Sequence, residues 1–201
     1  VSDFENNQYG GNEVLYKYIN AIYITKVGNP NPPTSTNTNN NQSSTSKLIN
    51  IEVITQVNDE ICWAMAGAMV GKLYNPNYAL DNTRPSQLAF VQNFVPTMTD
   101  ANFDDPAYAV GNDNYVIKAV NHVAKGANKK IYMASKKLSI NEIKHQIDIG
   151  HPVIINIRST APGANVGHYV VIAGYDNSNN TLEIRDSSRH REGKQTIRSE
   201  E

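Results

Sequence analysis

The sequence predicts an α+β fold in which helices come first and strands follow. Three observations lead to this prediction. A run of small and apolar residues with helical character begins at Cys62, three amphipathic helix patterns come after it, and the strongest strand patterns all follow residue 150. Helices and strands that are segregated along a chain are typical of the α+β class, with a largely antiparallel sheet.

Local patterns place the other elements. Ser139 and Glu142 form a capping box before an isoleucine stripe, and Gly150 ends that helix. A strongly apolar strand beginning near Tyr169 leads into an Asn-rich turn, and its hairpin partner follows. The predicted helices span residues 85–94, 114–124 and 139–149, and the predicted strands span residues 48–55, 130–134, 153–157, 169–175, 181–185 and 195–198.

The N-terminal quarter of the chain is predicted to lie outside the compact domain. Residues 14–27 alternate only loosely between polar and apolar, which fits either a strand pair or a short helix. Residues 28–47 are almost entirely Asn, Ser, Thr and Pro, which have little apolar surface to bury, and we expect a disordered linker. Residues 1–27 are therefore interpreted as an N-terminal arm or propeptide remnant, and residues 48–201 as the domain.

Composition narrows the possible functions. The 201 residues suit one domain, and a formal net charge of −1 gives no electrostatic reason to expect nucleic acid or an anionic membrane as a partner. No apolar run approaches the length of a membrane span. A single cysteine excludes an internal disulfide and a Cys-rich zinc site, and no glycine-rich phosphate loop is present. We expect a monomer without a cofactor.

The helix that begins at Cys62 is predicted to be the centre of the core. It contains the one cysteine and the one tryptophan, Trp63, and its residues are small or apolar on almost every face. Gly67 and Gly71 lie one turn apart on one side of it. Glycine lowers helix propensity, so the pair indicates a place where another backbone packs closely. We expect Trp63 to pack beside the cysteine.

The position of Cys62 in the first turn of this helix favours a nucleophilic role. Free N–H groups and the helix dipole stabilise a thiolate there. Asn58 or Asp59 is expected to cap the helix, with Glu60 in its first turn. Gln56, six residues before the cysteine, is a candidate to hold an oxyanion together with the Cys62 backbone N–H.

His168 is the candidate base, because it stands where a loop enters a hydrophobic strand and can face a cleft. Asp186 follows 18 residues later (186 − 168), across one hairpin. A hairpin returns the chain beside its start, so Asp186 is expected to hydrogen-bond the imidazole and fix its tautomer. The other histidines are predicted to be structural or on the surface: His122, His145, His151 and His190.

Glutamine, five residues, Cys-Trp and then a helix of small residues resembles the papain-like cysteine proteases. The short separation of Cys62 and His168 is more similar to the compact bacterial branch, which includes effector proteases, bacteriocin leader-peptidase domains and toxin domains. The resemblance implies a helical lobe led by the cysteine helix, packed against an antiparallel sheet lobe that carries the histidine. It also implies a Cys62–His168–Asp186 triad with Gln56 in the oxyanion hole.

The function implied by the resemblance is hydrolysis of peptide bonds by a bacterial effector or toxin, secreted or delivered into a target cell. A protein or peptide is the expected substrate, and an immunity or inhibitor protein is a conceivable further partner. Three alternatives stay open. The same triad can deamidate glutamine or transfer an acyl group to an amine, the fold can be an inactive binding module, and residues 1–47 can cover the cleft of a zymogen.

Overall fold

A single antiparallel sheet with helices on both faces organises the chain. The computed structural model describes residues 3–4, 16–28, 45–105, 111–159, 167–189 and 194–198. Within these residues the helices are α1 (Cys62–Tyr74), α2 (Arg84–Gln92), α3 (Asp113–Lys125) and α4 (Ile140–Asp148). The strands are β1 (Asp3–Phe4), β2 (Tyr16–Gly28), β3 (Ser46–Leu48), β4 (Lys130–Lys136), β5 (Val153–Ser159), β6 (Gly167–Asp176), β7 (Thr181–Arg185) and β8 (Lys194–Arg198).

The path through the sheet is β1-β2-β5-β6-β7-β8, and every pairing in it is antiparallel. β4 pairs with the second half of β2, along the edge that faces away from β5. β5 and β3 pair with the same edge of β6. β5 pairs with its first part, and β3 pairs with its end. The α+β class predicted from the sequence is confirmed, as is the antiparallel sheet.

The central strands β5 and β6 are buried on both faces, which explains why they are apolar almost without interruption. Side chains of successive strand residues point to opposite faces. Ile154, Val171 and Ala173 pack in the core that contains α1 and α3. Their neighbours Ile155 and Val170 instead pack in a second core, where they meet the isoleucine stripe of α4.

α1 is buried on every side from Cys62 to Gly71, as the sequence predicted. α3 packs across the two glycines, and a Cβ added at Gly67 would lie only 2.6 Å from the Cβ of Ala119. A Cβ at Gly71 would lie 2.6 Å from the Cβ of Val123. The two glycines therefore permit the close approach of α1 and α3.

The helix predictions agree with the structure to within one or two residues at their starts and ends. The α4 capping box is present, with the Ser139 side chain accepting from the Glu142 N–H and the Glu142 carboxylate accepting from the Ser139 N–H. β7 matches its predicted bounds, and β8 and β5 differ from theirs by one or two residues.

The strand predicted over residues 48–55 is wrong. β3 ends at Leu48, and residues 49–61 form no regular secondary structure. Their backbone groups are satisfied singly; for example, the Ile49 N–H donates to the Ala173 carbonyl at 2.7 Å. Ile51 and Ile54 still enter the core one at a time. The apolar pattern of residues 48–55 therefore predicts correctly that the side chains of Ile51 and Ile54 are buried, but it does not predict that the backbone is irregular.

The prediction that residues 1–27 form an arm separate from the domain also needs correction. β2 lies inside the sheet, between β5 on one edge and β4 on the other. Tyr18, Ala21, Ile22 and Ile24 are each at most 1% exposed and contribute to both cores. The predicted linker is likewise shorter at both ends, because β2 continues to Gly28 and β3 begins at Ser46. Residues 29–44 lie outside the described residues.

Among the described residues, no helix has the length and apolar character needed to cross a bilayer.

Replacing Gly67 by alanine tests the packing of α1 on α3. The new methyl group would also lie 2.9 Å from the Val116 carbonyl oxygen, which cannot move without shifting α3. We expect Gly67→Ala to lower the free energy of unfolding by about 1–3 kcal/mol, measured by urea denaturation. The better helix propensity of alanine, about 1 kcal/mol, works in the opposite direction.

Asn141→Ala, on the exposed surface of α4, is the control and should leave stability unchanged or slightly higher. A Gly67→Ala protein as stable as wild type would contradict the close packing.

Candidate active site

Cys62 is the first residue of α1, and its side chain is buried except for 7% of its surface. The expected caps are wrong: the N-cap residue is Ile61, without a side-chain cap, and the first turn contains no acidic residue. Asn58 instead turns the chain ahead of the helix. Its side chain accepts from the Glu60 N–H and donates to the Phe103 carbonyl, both at 2.9 Å. The thiol still meets the N-terminal end of the helix dipole.

His168 lies at the start of β6, and Asp186 directly follows the end of β7. Because β6 and β7 form an antiparallel hairpin, the two residues meet, with His168 Nε2 and Asp186 Oδ1 2.7 Å apart. The Asp186 carboxylate is fully buried and also accepts from the Ser188 N–H at 2.8 Å. This second hydrogen bond fixes the orientation of the carboxylate towards the imidazole.

The imidazole of His168 is poised to carry a positive charge. Burial lowers its pKa, but the hydrogen bonds to Asp186 and Cys62 outweigh burial and raise the pKa to about 9. With Nε2 directed at Asp186, the ring nitrogen left for the Cys62 thiol is Nδ1. A thiol beside an imidazolium is favoured as the thiolate, which is the nucleophilic form.

Gln56 is buried and is held by a residue that the sequence analysis missed. Ser187 Oγ donates to Gln56 Oε1 at 2.6 Å, and the Gln56 N–H donates to the Ser187 carbonyl at 2.7 Å. Since the side-chain oxygen accepts from Ser187, the amide Nε2 is the group left to donate elsewhere. Ser187 directly follows Asp186, but no local signal connects residues 131 positions apart.

The structure therefore brings Cys62, His168 and Asp186 together, and Gln56 is anchored to the residue that follows Asp186. A family model described as "Peptidase_C39 like family" matches residues 48–200. The chain belongs to this family. Membership agrees with the resemblance to papain-like cysteine proteases and points to a cysteine peptidase. No curated protein and no solved structure shows a significant match to the chain.

Trp63 of this Peptidase_C39-like chain is a core residue, as expected. It is 1% exposed and packs edge-on against Phe94, with ring centroids 5.8 Å apart, and at a tilt against Tyr115 at 5.3 Å. Gly111 lies against the indole, where an added Cβ would come within 2.8 Å of it. Trp63 therefore packs the first turn of α1 against Phe94, two residues after the end of α2, and against Tyr115 of α3.

The other histidines have surroundings that suit structural or surface roles. His122 packs among the rings of Tyr78, Phe90 and Phe94, and burial lowers its pKa. His145 is exposed on α4, and His151 is half-buried after it. His190 lies outside the described residues. In the described part of the chain, no three His, Cys, Asp or Glu side chains gather where they could hold a metal ion.

Asp186→Asn tests the electrostatic link between Asp186 and His168. The substitution removes the carboxylate charge while keeping the shape, so we expect the pKa of His168 to fall from about 9. NMR titration of the imidazole measures this pKa directly. Asp176→Asn, at the end of β6 next to the β6–β7 turn, is the control and should leave the His168 pKa in place.

The same pair makes a prediction for stability against pH. The pKa of His168 is raised on folding, so its contribution is complete below its ordinary value of 6.5 and is lost as the pH rises through about 9. The difference in free energy of unfolding between wild type and Asp186→Asn should therefore be largest near pH 6 and shrink towards pH 9. A difference that stays constant over this range would contradict the raised pKa.

Proposed function

We propose that the protein hydrolyses peptide bonds, with Cys62 as nucleophile, His168 as acid and base, and Asp186 as the group that orients His168. The observation that supports this assignment best is the arrangement around His168. One ring nitrogen lies 2.7 Å from a buried carboxylate, and the one cysteine, at a helix N-terminus, is near enough to the ring to raise its pKa. Acyl transfer through a thioester requires a nucleophile next to a base, and a third group that orients the base.

The first half of the reaction forms the acyl-enzyme. The Cys62 thiolate attacks the carbonyl carbon of the peptide bond, a C–S bond forms, and the carbonyl oxygen becomes an oxyanion. When the tetrahedral intermediate collapses, the C–N bond breaks and the His168 imidazolium gives its proton to the leaving amine. Asp186 stabilises the imidazolium and keeps its Nε2–H directed away from the reacting atoms.

The second half releases the acid. Neutral His168 takes a proton from water as the water oxygen attacks the thioester. The C–S bond breaks, Cys62 leaves as the thiolate, and the imidazolium is restored. The enzyme therefore returns to its starting charge state without a cofactor.

The oxyanion of both steps needs hydrogen-bond donors. The Gln56 Nε2 group and the Cys62 backbone N–H, which has no acceptor inside the helix, are the donors we assign. Ser187 has no direct role with the substrate in this assignment. Its hydroxyl donates to Gln56 Oε1, and this hydrogen bond fixes the orientation of the amide so that Nε2 is free to donate to the oxyanion.

Deamidation of glutamine and acyl transfer to an amine are alternative outcomes of the same thioester. A protein or peptide is the proposed substrate for all of them. Action as a secreted or delivered effector or toxin, and recognition by an inhibitor protein, stay predictions from the sequence resemblance.

Product mass separates the possible reactions. Incubation with an unfolded test protein, followed by mass spectrometry, should yield shorter peptides that gain one water at each cut. A mass increase of about one dalton without cleavage would indicate deamidation, and a linked product would indicate transfer. Cys62→Ala must abolish whichever product forms, and an unchanged product would overturn the assigned nucleophile.

Gln56→Ala tests the oxyanion assignment. Loss of one donor of this kind is expected to lower kcat by about 10²–10³-fold with little change in KM, because the donor acts mainly in the transition state. Gln92→Ala is the matched control, since Gln92, the last residue of α2, donates to the Met98 carbonyl and should leave kcat unchanged. A Gln56→Ala enzyme with wild-type kcat would remove Gln56 from the mechanism.

A further inference from the structure

A polar cluster next to the candidate active site takes no part in the proposed steps of peptide hydrolysis. Asp113, the first residue of α3, accepts the Tyr169 hydroxyl at 2.9 Å on Oδ1. Its other oxygen accepts from the Asn20 amide and from the Ser135 hydroxyl. Asn20 also donates to Ser135 at 2.8 Å. One carboxylate thus connects a helix to three strands of the sheet.

The cluster bridges the two lobes that contribute the nucleophile and the base. Asp113 belongs to α3, and α3 is packed closely on α1, the helix of Cys62, through Gly67 and Gly71. Tyr169 belongs to β6 and is the residue directly after His168. The hydrogen bond between Asp113 and Tyr169 therefore joins the helical lobe to the sheet lobe beside the reacting pair.

Tyr169 belongs to the same core as the proposed nucleophile. Its side chain is 4% exposed and packs in the core that includes Cys62. Burial raises the pKa of Tyr169 most, and the hydrogen bond to Asp113 and the charge of that carboxylate raise it further, whereas Asn156 lowers it. The net effect is a raised pKa, so the hydroxyl keeps its proton and remains a donor to Asp113. Asp186 on the far side of His168 and Asp113 behind Tyr169 are the carboxylates that face this group of residues.

We propose that Asp113 is a positioning residue: its hydrogen bonds to Tyr169, Asn20 and Ser135 keep Cys62 at the distance and angle that the ion pair with His168 requires. This role rests on the proposed function. A thiolate–imidazolium pair depends steeply on separation, and a small shift of one lobe weakens it.

The inference gives strand β2 a part in the active site. Asn20 comes from β2, and β2 lies before residue 48, where the family match begins. The Asn20 side-chain oxygen is buried and has no partner among the described residues, so the hydrogen bonds of this side chain are those of its amide group, to Asp113 and Ser135. A residue outside the matched region therefore helps to orient Asp113.

The chain contains a matched control for this hydrogen bond. Tyr175, also on β6, donates its hydroxyl to the Asp148 carboxylate at 2.6 Å and is 3% exposed. This second pair has the same chemistry, but it lies at the other end of β6, against α4. Tyr169→Phe and Tyr175→Phe each delete one buried hydroxyl and keep the ring, so their effects on stability should be similar.

The experiment measures alkylation of the single cysteine by iodoacetamide, followed by intact mass from pH 5 to 9.5. If the proposed ion pair with His168 is present, iodoacetamide should already react with Cys62 of the wild type near pH 6. We expect Tyr169→Phe and Asn20→Ala to lower the rate at pH 6 by about tenfold relative to the rate at pH 9.5. Tyr175→Phe should keep the wild-type ratio. Asp113→Asn should retain more of the rate at pH 6 than Asp113→Ala, because its amide oxygen can still accept from Tyr169.

His168→Ala provides the profile of a thiol without the ion pair. If Tyr169→Phe and Tyr175→Phe both keep the wild-type profile while His168→Ala loses reactivity at pH 6, the positioning role is overturned and the proposed function stands. If Tyr169→Phe and Tyr175→Phe lose the same share of reactivity at pH 6, the loss reflects general stability, and the positioning role is also overturned. If wild type already behaves like His168→Ala, the proposed function itself fails.

Discussion

Complete burial of α1 is the constraint on which the site depends. A helix that is apolar on every side must be covered on every side, and here α3 lies across its glycines while the sheet covers much of the rest. Those contacts leave little freedom to rotate or slide, so the first residue of the helix has a defined place. Cys62 is consequently presented to β6 by packing alone, without a side-chain cap or an acidic residue at the start of the helix. The side chain that we propose as the nucleophile is therefore positioned by an apolar helix.

The sheet positions the other partners by a different means. The β6–β7 hairpin places Asp186 beside His168, and the two residues that follow, Ser187 and Ser188, add hydrogen bonds to Gln56 and to Asp186. One short segment thus orients both the base and the donor assigned to the oxyanion. Changes in that segment would affect proton transfer and charge stabilisation together, which makes the two difficult to separate by substitution.

The sequence predicts best those features of the structure that depend on residues close together in the chain. The capping box of α4, the hairpin of β6 and β7 and the all-apolar α1 each depend on neighbours in the chain, and each is present in the structure. The Gln-to-Cys spacing and the family resemblance also identified residues that the fold brings together. One local prediction fails, because α1 begins after Ile61 without the expected side-chain cap. The other failures involve partners that are distant in sequence. Residues 49–61 bond to β6 and to Ser187 singly instead of forming a strand, and the hydroxyl that holds Gln56 comes from 131 residues away. The weak periodicity of β2 gives no strand signal in the sequence, because a strand buried on both faces has no reason to alternate.

Because β2 is part of the sheet, the start of the family match and the start of the folded unit are two different positions in the chain. The family match begins at residue 48, but the folded unit described here already includes residues 16–28. A fragment cut at residue 48 would lack the strand that pairs with both β4 and β5, and the backbone groups along that edge of β5 would be open to any extended chain nearby. Conversely, β2 is held by antiparallel pairing with two strands and by burial in two cores, and these contacts would persist in a chain cleaved between β2 and β3, with the strand as a separate, non-covalently bound peptide. In that form the strand would behave as a subunit, with an affinity and an exchange rate of its own.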